Sequence, residues 1–278
     1  MWGKNIKMAK SATSEIESKS GLPLQVNAHK ARSLVFSCVL YLLAFIGAEL
    51  VTYHVRDYAG LIFYFVILLS LIIDSAASKD ESRRGLWLAL GLVPITRIAG
   101  LAIPLTEISK IFWYLLVALP VLVGVFLISR VLKFSLADIG LNGNRAWIQL
   151  LVAISGILLG LADYLILKPE ALNSQLSLQS TLAPALILII STGFIEEMAF
   201  RGTIQRTATA LNSLGWVYVA LLYAGLQIGR GSFLHCLLAF GVGIYYGWIV
   251  KKTGSILGVA FSHGLLNILL YLVLPNLF

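Results

Sequence analysis

Long apolar stretches with almost no charge inside them recur along this chain. Nine of them, near 33–53, 58–74, 85–103, 111–130, 147–167, 181–203, 214–228, 232–250 and 255–275, are long enough, or nearly so, to cross a hydrocarbon core of roughly 30 Å. A segment at that depth has no water for its backbone groups, so it folds as a helix that satisfies them internally. The expectation is an all-α fold, a polytopic transmembrane helix bundle of eight to nine spans. The second and seventh stretches are short, so eight spans plus one re-entrant or interfacial helix also fits. Only 12% of the 278 residues are charged, against roughly 25% in soluble domains, which excludes a soluble globular enzyme.

Lys and Arg set the orientation, since cytoplasmic loops carry the excess of both. With the N-terminus inside, one face holds Lys4, Lys7, Lys10, Lys19, Lys30, Arg32, Lys79, Arg83, Arg84, Arg130, Lys133, Arg145, Arg201, Arg206, Lys251 and Lys252. The other holds only Arg56, Lys110, Lys168 and Arg230, with Arg97 inside the membrane. The prediction is a cytoplasmic N-terminus and a multi-pass protein of the plasma membrane. Topology also accounts for the net charge of +8, so nucleic acid is not expected as a partner. Residues 1–31 read as a polar, basic tail without the apolar core of a signal peptide. Cys38 and Cys236 lie in apolar stretches and imply no disulfide framework. The expected organisation is this tail, a set of N-terminal transmembrane helices over 32–178, and a functional set over 179–278. Between the fourth and fifth spans, Phe134 to Gly143 reads as an amphipathic surface segment ending in a Gly/Asn turn. Gly241, Gly243 and Gly247 suit close packing of the eighth span.

Inside the sixth stretch stand Glu196, Glu197 and Arg201. A lone ionised side chain at bilayer depth costs about 3 kcal/mol on insertion scales, so two adjacent acids need a reason. Glu197 and Arg201 are four apart and can pair on one helix face. Glu196 points about 100° away, which leaves an unpaired carboxylate. In the last stretch His263 and Asn267 share a face in the same way. Glu196 precedes the turn near Asn212 by ~16 residues, about 24 Å of helix, and Gln227 returns from it by ~13 residues, about 20 Å. His263 lies ~9 residues, about 13 Å, beyond Gly254-Ser255. All should therefore lie near one level and line one cavity, open to the cytoplasm. A carboxylate, an imidazole and an amide donor can activate water and stabilise an oxyanion. Of the other polar groups, Glu49 and Asp163 lie near span ends, where a side chain reaches the interface. Arg97 follows Pro94 and should satisfy freed carbonyls or a carboxylate such as Asp163, and His235 should cap its span or bond a loop.

These residues resemble the CPBP family of intramembrane endopeptidases, the CAAX proteases and Abi-like, bacteriocin-processing enzymes. The family's Glu-Glu-x-x-x-Arg motif is matched by Glu196, Glu197 and Arg201, with Gly202 following; its His-x-x-x-Asn motif is matched by His263 and Asn267. Lys252 to Leu257 is similar to the family's Arg-Thr-Gly-Ser-Leu run, and the likeness covers about residues 180–270. Where the family has Phe-x-x-x-His, this chain has Tyr223 to Gln227. Glutamine can orient a water but is no general base near neutral pH.

The resemblance implies hydrolysis of a membrane-protein or lipidated peptide substrate by water activated at Glu196. Glu197 would hold Arg201, while Asn267 and His263 would stabilise the oxyanion and Gln227 would position water. It also raises a divalent metal such as zinc, with Glu196 and His263 as candidate ligands; catalytic zinc normally takes three protein ligands. The alternative is an inactive relative acting as a scaffold or regulatory subunit of a membrane-protein complex. A proton-linked carrier is a third reading, because buried charges also mark ion paths; no pair of interrupted segments in two related halves supports it.

Overall fold

The computed structural model describes residues 32–103, 109–173 and 175–278, and the tail expected over 1–31 lies outside them. The chain divides into two compact units, residues 1–41 and 42–278. Of the first, the described part is helical throughout, and among all described residues there is no strand. Eight helical stretches of the described residues are long and apolar enough to cross a membrane. The chain is an integral, multi-pass membrane protein.

The first two are α1 (Arg32–His54) and α2 (Asp57–Ala77). The third span is two pieces, α3 (Glu81–Leu90) and α4 (Leu92–Ala102), meeting at Gly91. Pro94 causes the break: it has no N–H to return to the carbonyl four residues earlier. Asp80 starts α3 by accepting from the backbone N–H of Ser82 at 2.9 Å, the usual N-cap arrangement. Helices α5 (Lys110–Val131) and α6 (Ala146–Leu167) follow. Their outward faces carry large apolar side chains such as Phe112, Phe126, Trp147 and Leu158. Such a belt is stable only against lipid or another apolar partner.

The sixth and seventh predicted stretches fall within one helical run, Leu178–Arg230. It begins as α7 (Leu178–Leu188), capped by Ser177, and widens into π-helix at Ile189–Ile195 and again at Met198–Ile204 before the short α8 (Gln205–Thr207). At Asn212 the backbone leaves helical values (φ 57°, ψ −132°) and α9 (Gly215–Gly225) returns to pack on α8 and the second π-helical segment. Gly215 permits this reversal, because a Cβ there would sit 2.0 Å from the Ala208 carbonyl. With 11 residues, α9 is only about 16 Å long, so the short seventh stretch does not make a separate span-length helix. Helix α10 (Phe233–Thr253) and the last span, α11 (Leu257–Ile268) with its extension to Asn276, complete the fold.

The last span is the interior one: 67% of its most apolar stretch is buried, against 28% for α2, α5 and α6. It packs on α6 and on the π-helical Ile189–Ile195. Two glycines set those distances. A Cβ on Gly156 would stand 2.2 Å from the Ser262 carbonyl, and one on Gly193 would stand 2.6 Å from that of Ala260. His263 is thereby brought between the acid-bearing helix and α6. In the eighth span Gly243 and Gly247 meet Ala220 and Trp216 closely, whereas Gly241 faces nothing within 4 Å, so only two of the three expected glycines serve packing. The segment from Phe134 to Gly143 does more than lie on the surface. Asn142 Nδ2 donates to the Gly254 carbonyl at 2.7 Å, the Ser255 hydroxyl donates to that of Asn142 at 2.6 Å, and the Ile256 N–H donates to that of Gly140 at 2.9 Å. It locks the turn that launches α11.

Candidate active site

Glu196 and Glu197 occupy the two residues between the π-helical segments. Widened turns of this kind leave carbonyls poorly bonded, and they recur at functional sites. Hydroxyl side chains fill part of the deficit here: Ser191 donates to Ile187 O at 2.6 Å, Thr192 to Leu188 O at 2.7 Å and Thr203 to Met198 O at 2.9 Å.

As the spacing predicts, Arg201 Nη1 donates to Glu197 Oε1 at 2.9 Å, and both side chains are buried. His263 Nδ1 meets the same carboxylate oxygen at 2.9 Å. Glu197 thus serves two partners and fixes the imidazole as well as the guanidinium, a link that crosses 66 residues and leaves no local trace in the sequence. Arg201 lies over three rings, with its guanidinium carbon 4.7 Å from the centre of Tyr223, 5.5 Å from Tyr246 and 5.8 Å from Phe200. Such cation–π contacts gain strength where water is excluded. Tyr246 is itself tied to α11 by donating to the Ser262 hydroxyl at 2.8 Å.

Glu196 points elsewhere. It has no hydrogen-bond or ion-pair partner among the described residues and lines a cavity of about 480 Å³. That volume is in the range of small-ligand sites. The same wall carries Tyr223, Gln227, His263 and Asn267. The amide of Asn267, 8% exposed, likewise has no hydrogen-bond partner among the described residues. So the structure brings Glu196, Gln227, His263 and Asn267 to one cavity, with Glu197 and Arg201 behind it.

The other buried polar groups differ from expectation. Glu49 and Asp163 do not reach an interface; they are 0% and 5% exposed. Arg97 pairs with Glu49 rather than Asp163: Nε approaches Oε1 at 2.6 Å and Nη2 donates to Oε2 at 2.6 Å. Tyr64 also donates to Glu49. Asp163 instead meets His235 Nδ1 at 2.7 Å, and His235 Nε2 lies 3.3 Å from Gln227 Oε1. The side chain of His235 caps nothing but, as expected, reaches a neighbouring loop, at Gln227 in the turn after α9; Ser232 caps α10 by accepting from the His235 N–H at 3.2 Å. The physical reason is common to both pairs. A buried charge costs too much unless it is paired, and each acid found the cation or imidazole that the helix packing placed beside it. Unpaired acid and base on separate spans were the available signal, but spacing along the chain could not match them.

Residues 178–269 match the family described as Type II CAAX prenyl endopeptidase Rce1-like. This segment is similar to the Rce1-like family. The match spans α7 to α11 and holds Glu196, Glu197, Arg201, Gln227, His263 and Asn267, while residues before it, among them Arg97, Tyr114 and Asp163, complete the cavity wall. No curated protein and no solved structure matches the chain. Among the described residues no three His, Cys, Asp or Glu side chains come together as metal ligands. A catalytic zinc takes three protein ligands; Glu196 and His263 are two, and His263 already spends Nδ1 on Glu197. The Rce1-like donor set does not fit a three-ligand zinc centre.

Proposed function

We propose that this protein is an intramembrane endopeptidase that hydrolyses a peptide bond of a membrane protein or prenylated peptide with water activated at Glu196. One observation carries the reading: the two groups such a reaction needs free, the Glu196 carboxylate and the Asn267 amide, both lack hydrogen-bond partners among the described residues and line one cavity. Glu196 takes a proton from the water, and the resulting hydroxide attacks the carbonyl carbon. The oxyanion receives a hydrogen bond from the Asn267 amide. Glu196 then returns its proton to the departing amine, the carbon–nitrogen bond breaks, and the carboxylate is restored. Glu197 holds His263 and Arg201 in register, and Gln227 orients the water. The excess of Lys and Arg on one side of the spans supports a cytoplasmic N-terminus in a plasma-membrane protein. No step is assigned to a metal.

A second reading, an inactive scaffold within a membrane-protein complex, rests on Gln227, which cannot take a proton as histidine could. One experiment separates them. Full-length protein in liposomes is given an internally quenched prenylated peptide and a panel of quenched membrane-protein segments. Cleavage that disappears in Glu196→Gln supports the peptidase; wild type inert toward all of them and unchanged complexes in Glu196→Gln support the scaffold.

A further inference from the structure

Asp163, His235 and Gln227 form a chain of side chains on the wall of the cavity that Glu196 faces. The first two belong to α6 and to the first turn of α10, and they are 5% and 7% exposed. His235 Nδ1 lies 2.7 Å from Asp163 Oδ1, and Nε2 lies 3.3 Å from Gln227 Oε1. Among the described residues His235 is the sole hydrogen-bond or ion-pair partner of Asp163. Arg230 also acts on that carboxylate through space, and it donates to Tyr271 at 2.5 Å.

A structural tie between two helices needs only one of these contacts. The second contact reaches a residue that lines the same cavity as Glu196. Which ring nitrogen is available depends on what the other is bonded to. With Nδ1–H given to Asp163, the Nε2 side is fixed toward Gln227. An amide carries a donor at one end and an acceptor at the other. Gln227 can therefore accept from a protonated ring or donate to a neutral one, and each choice decides which end it presents to a water. An isolated glutamine has no such preference.

We propose that His235, oriented by Asp163 and acting through Gln227, is a positioning residue for the water at Glu196. The inference rests on the peptidase reading above. It assigns this cavity a second carboxylate-held imidazole, from outside the Glu196-to-Arg201 and His263-to-Asn267 motifs, and gives Gln227 an active orientation.

The test has two arms on the full chain in nanodiscs. In the first, which needs no substrate, histidine is labelled with nitrogen-15. Asp163→Asn should remove the hydrogen-bonded Nδ1 signature of His235, and Gln227→Ala and Glu196→Gln should each shift its Nε2 resonance. A resonance that ignores both latter variants overturns the proposal. In the second, the quenched peptide cleaved by wild type is used. His235→Gln should lower kcat about 10- to 100-fold, the range of general acid–base assistance or just below it, with KM within about twofold and melting unchanged. The double variant Gln227→His/His235→Gln should recover part of that loss, as should imidazole added to His235→Ala. If Glu196→Gln abolishes cleavage while His235→Gln leaves kcat unaltered, the peptidase stands and this inference falls. If Glu196→Gln still cleaves, the peptidase reading falls first.

Discussion

Two buried carboxylates in this protein each hold an arginine, and they are finished in opposite ways. At Glu49 both oxygens meet Arg97, at 2.6 Å each, and Tyr64 donates as well. At Glu197 one oxygen takes both Arg201 and His263, while Oε2 has no hydrogen-bond partner among the described residues, and neither do Nε and Nη2 of Arg201. A planar guanidinium meets a carboxylate best through two parallel bonds; at Glu49 both carboxylate oxygens are engaged, although Arg97 Nε makes close contact without a hydrogen bond. The Glu197 pair gives it up in order to hold an imidazole. The first site is a clamp: Gly229, two residues past Gln227, lies against Glu49 so closely that a Cβ would come within 2.9 Å of Oε2. The second orders groups that face a cavity. The two differ at the carboxylate: both oxygens of Glu49 are engaged, whereas Glu197 leaves one without a hydrogen bond beside the unpaired Glu196.

The largest effect should come from the carboxylate that neither arginine touches. Glu196→Gln removes the base and nothing that holds the helices, so kcat should fall about 10²- to 10⁴-fold, the usual contribution of general base catalysis, with an unaltered melting curve. Loss of folding in the same variant, seen by thermal melting in detergent, would mean that Glu196 is structural after all. Asn267→Ala should come next, lowering kcat about 10²- to 10³-fold by removal of one oxyanion donor. Because the amide bonds no other described residue, its melting should hardly move. A rise in KM with kcat intact would move Asn267 from the oxyanion to ground-state binding.

Glu49→Gln reverses the pattern. It leaves Arg97 buried beside a neutral amide, and breaking a buried pair from one side costs roughly 3–5 kcal/mol. The Arg97 side chain is 30% exposed, so water screens part of that and a loss of about 2–3 kcal/mol is expected. Denaturation in mixed micelles would read it. The folded fraction should keep the wild-type kcat; a lower value there would bring the clamp into the reaction and erase the contrast between the two pairs.

Much of this was legible in the sequence. Span-length apolar runs gave the all-helical membrane fold, and a four-residue spacing gave Glu197–Arg201 and left Glu196 unpaired. The antiparallel count placed Gln227 at the level of Glu196, and both line one cavity. What escaped depended on contacts far apart in the chain. Nothing local links Glu49 to Arg97, Asp163 to His235 or Glu197 to His263, at separations of 48, 72 and 66 residues. Helical spacing says which residues share a face, but not which face meets which. The π-helical turns were also hidden, since no short pattern separates Ile189–Ile195 from ordinary helix. At Gln227 the residue type alone suggests a side chain that positions water, but only the packing shows His235 behind it.

The smallest effect belongs to a third acid–arginine pair, Asp138 with Arg206 at 2.7 Å, which lies outside the spans and exposed to solvent. Surface pairs of this kind contribute little. The Ser135 N–H at 2.9 Å and hydroxyl at 2.7 Å hold the Asp138 carboxyl below its ordinary range, with Arg206 adding less. A group whose folded-state value is depressed stabilises the fold above its unfolded value, near 4 for aspartate, and that gain is lost as pH falls through the folded value. Asp138→Asn should therefore lower the melting temperature slightly at pH 7, and the gap should close as the solution is taken below about pH 4. Melting both proteins at a series of pH values measures that gap. One that stays constant down to pH 2 would trace the loss to the Ser135 turn geometry instead of charge, and Asp138 would leave the series of ionic pairs altogether.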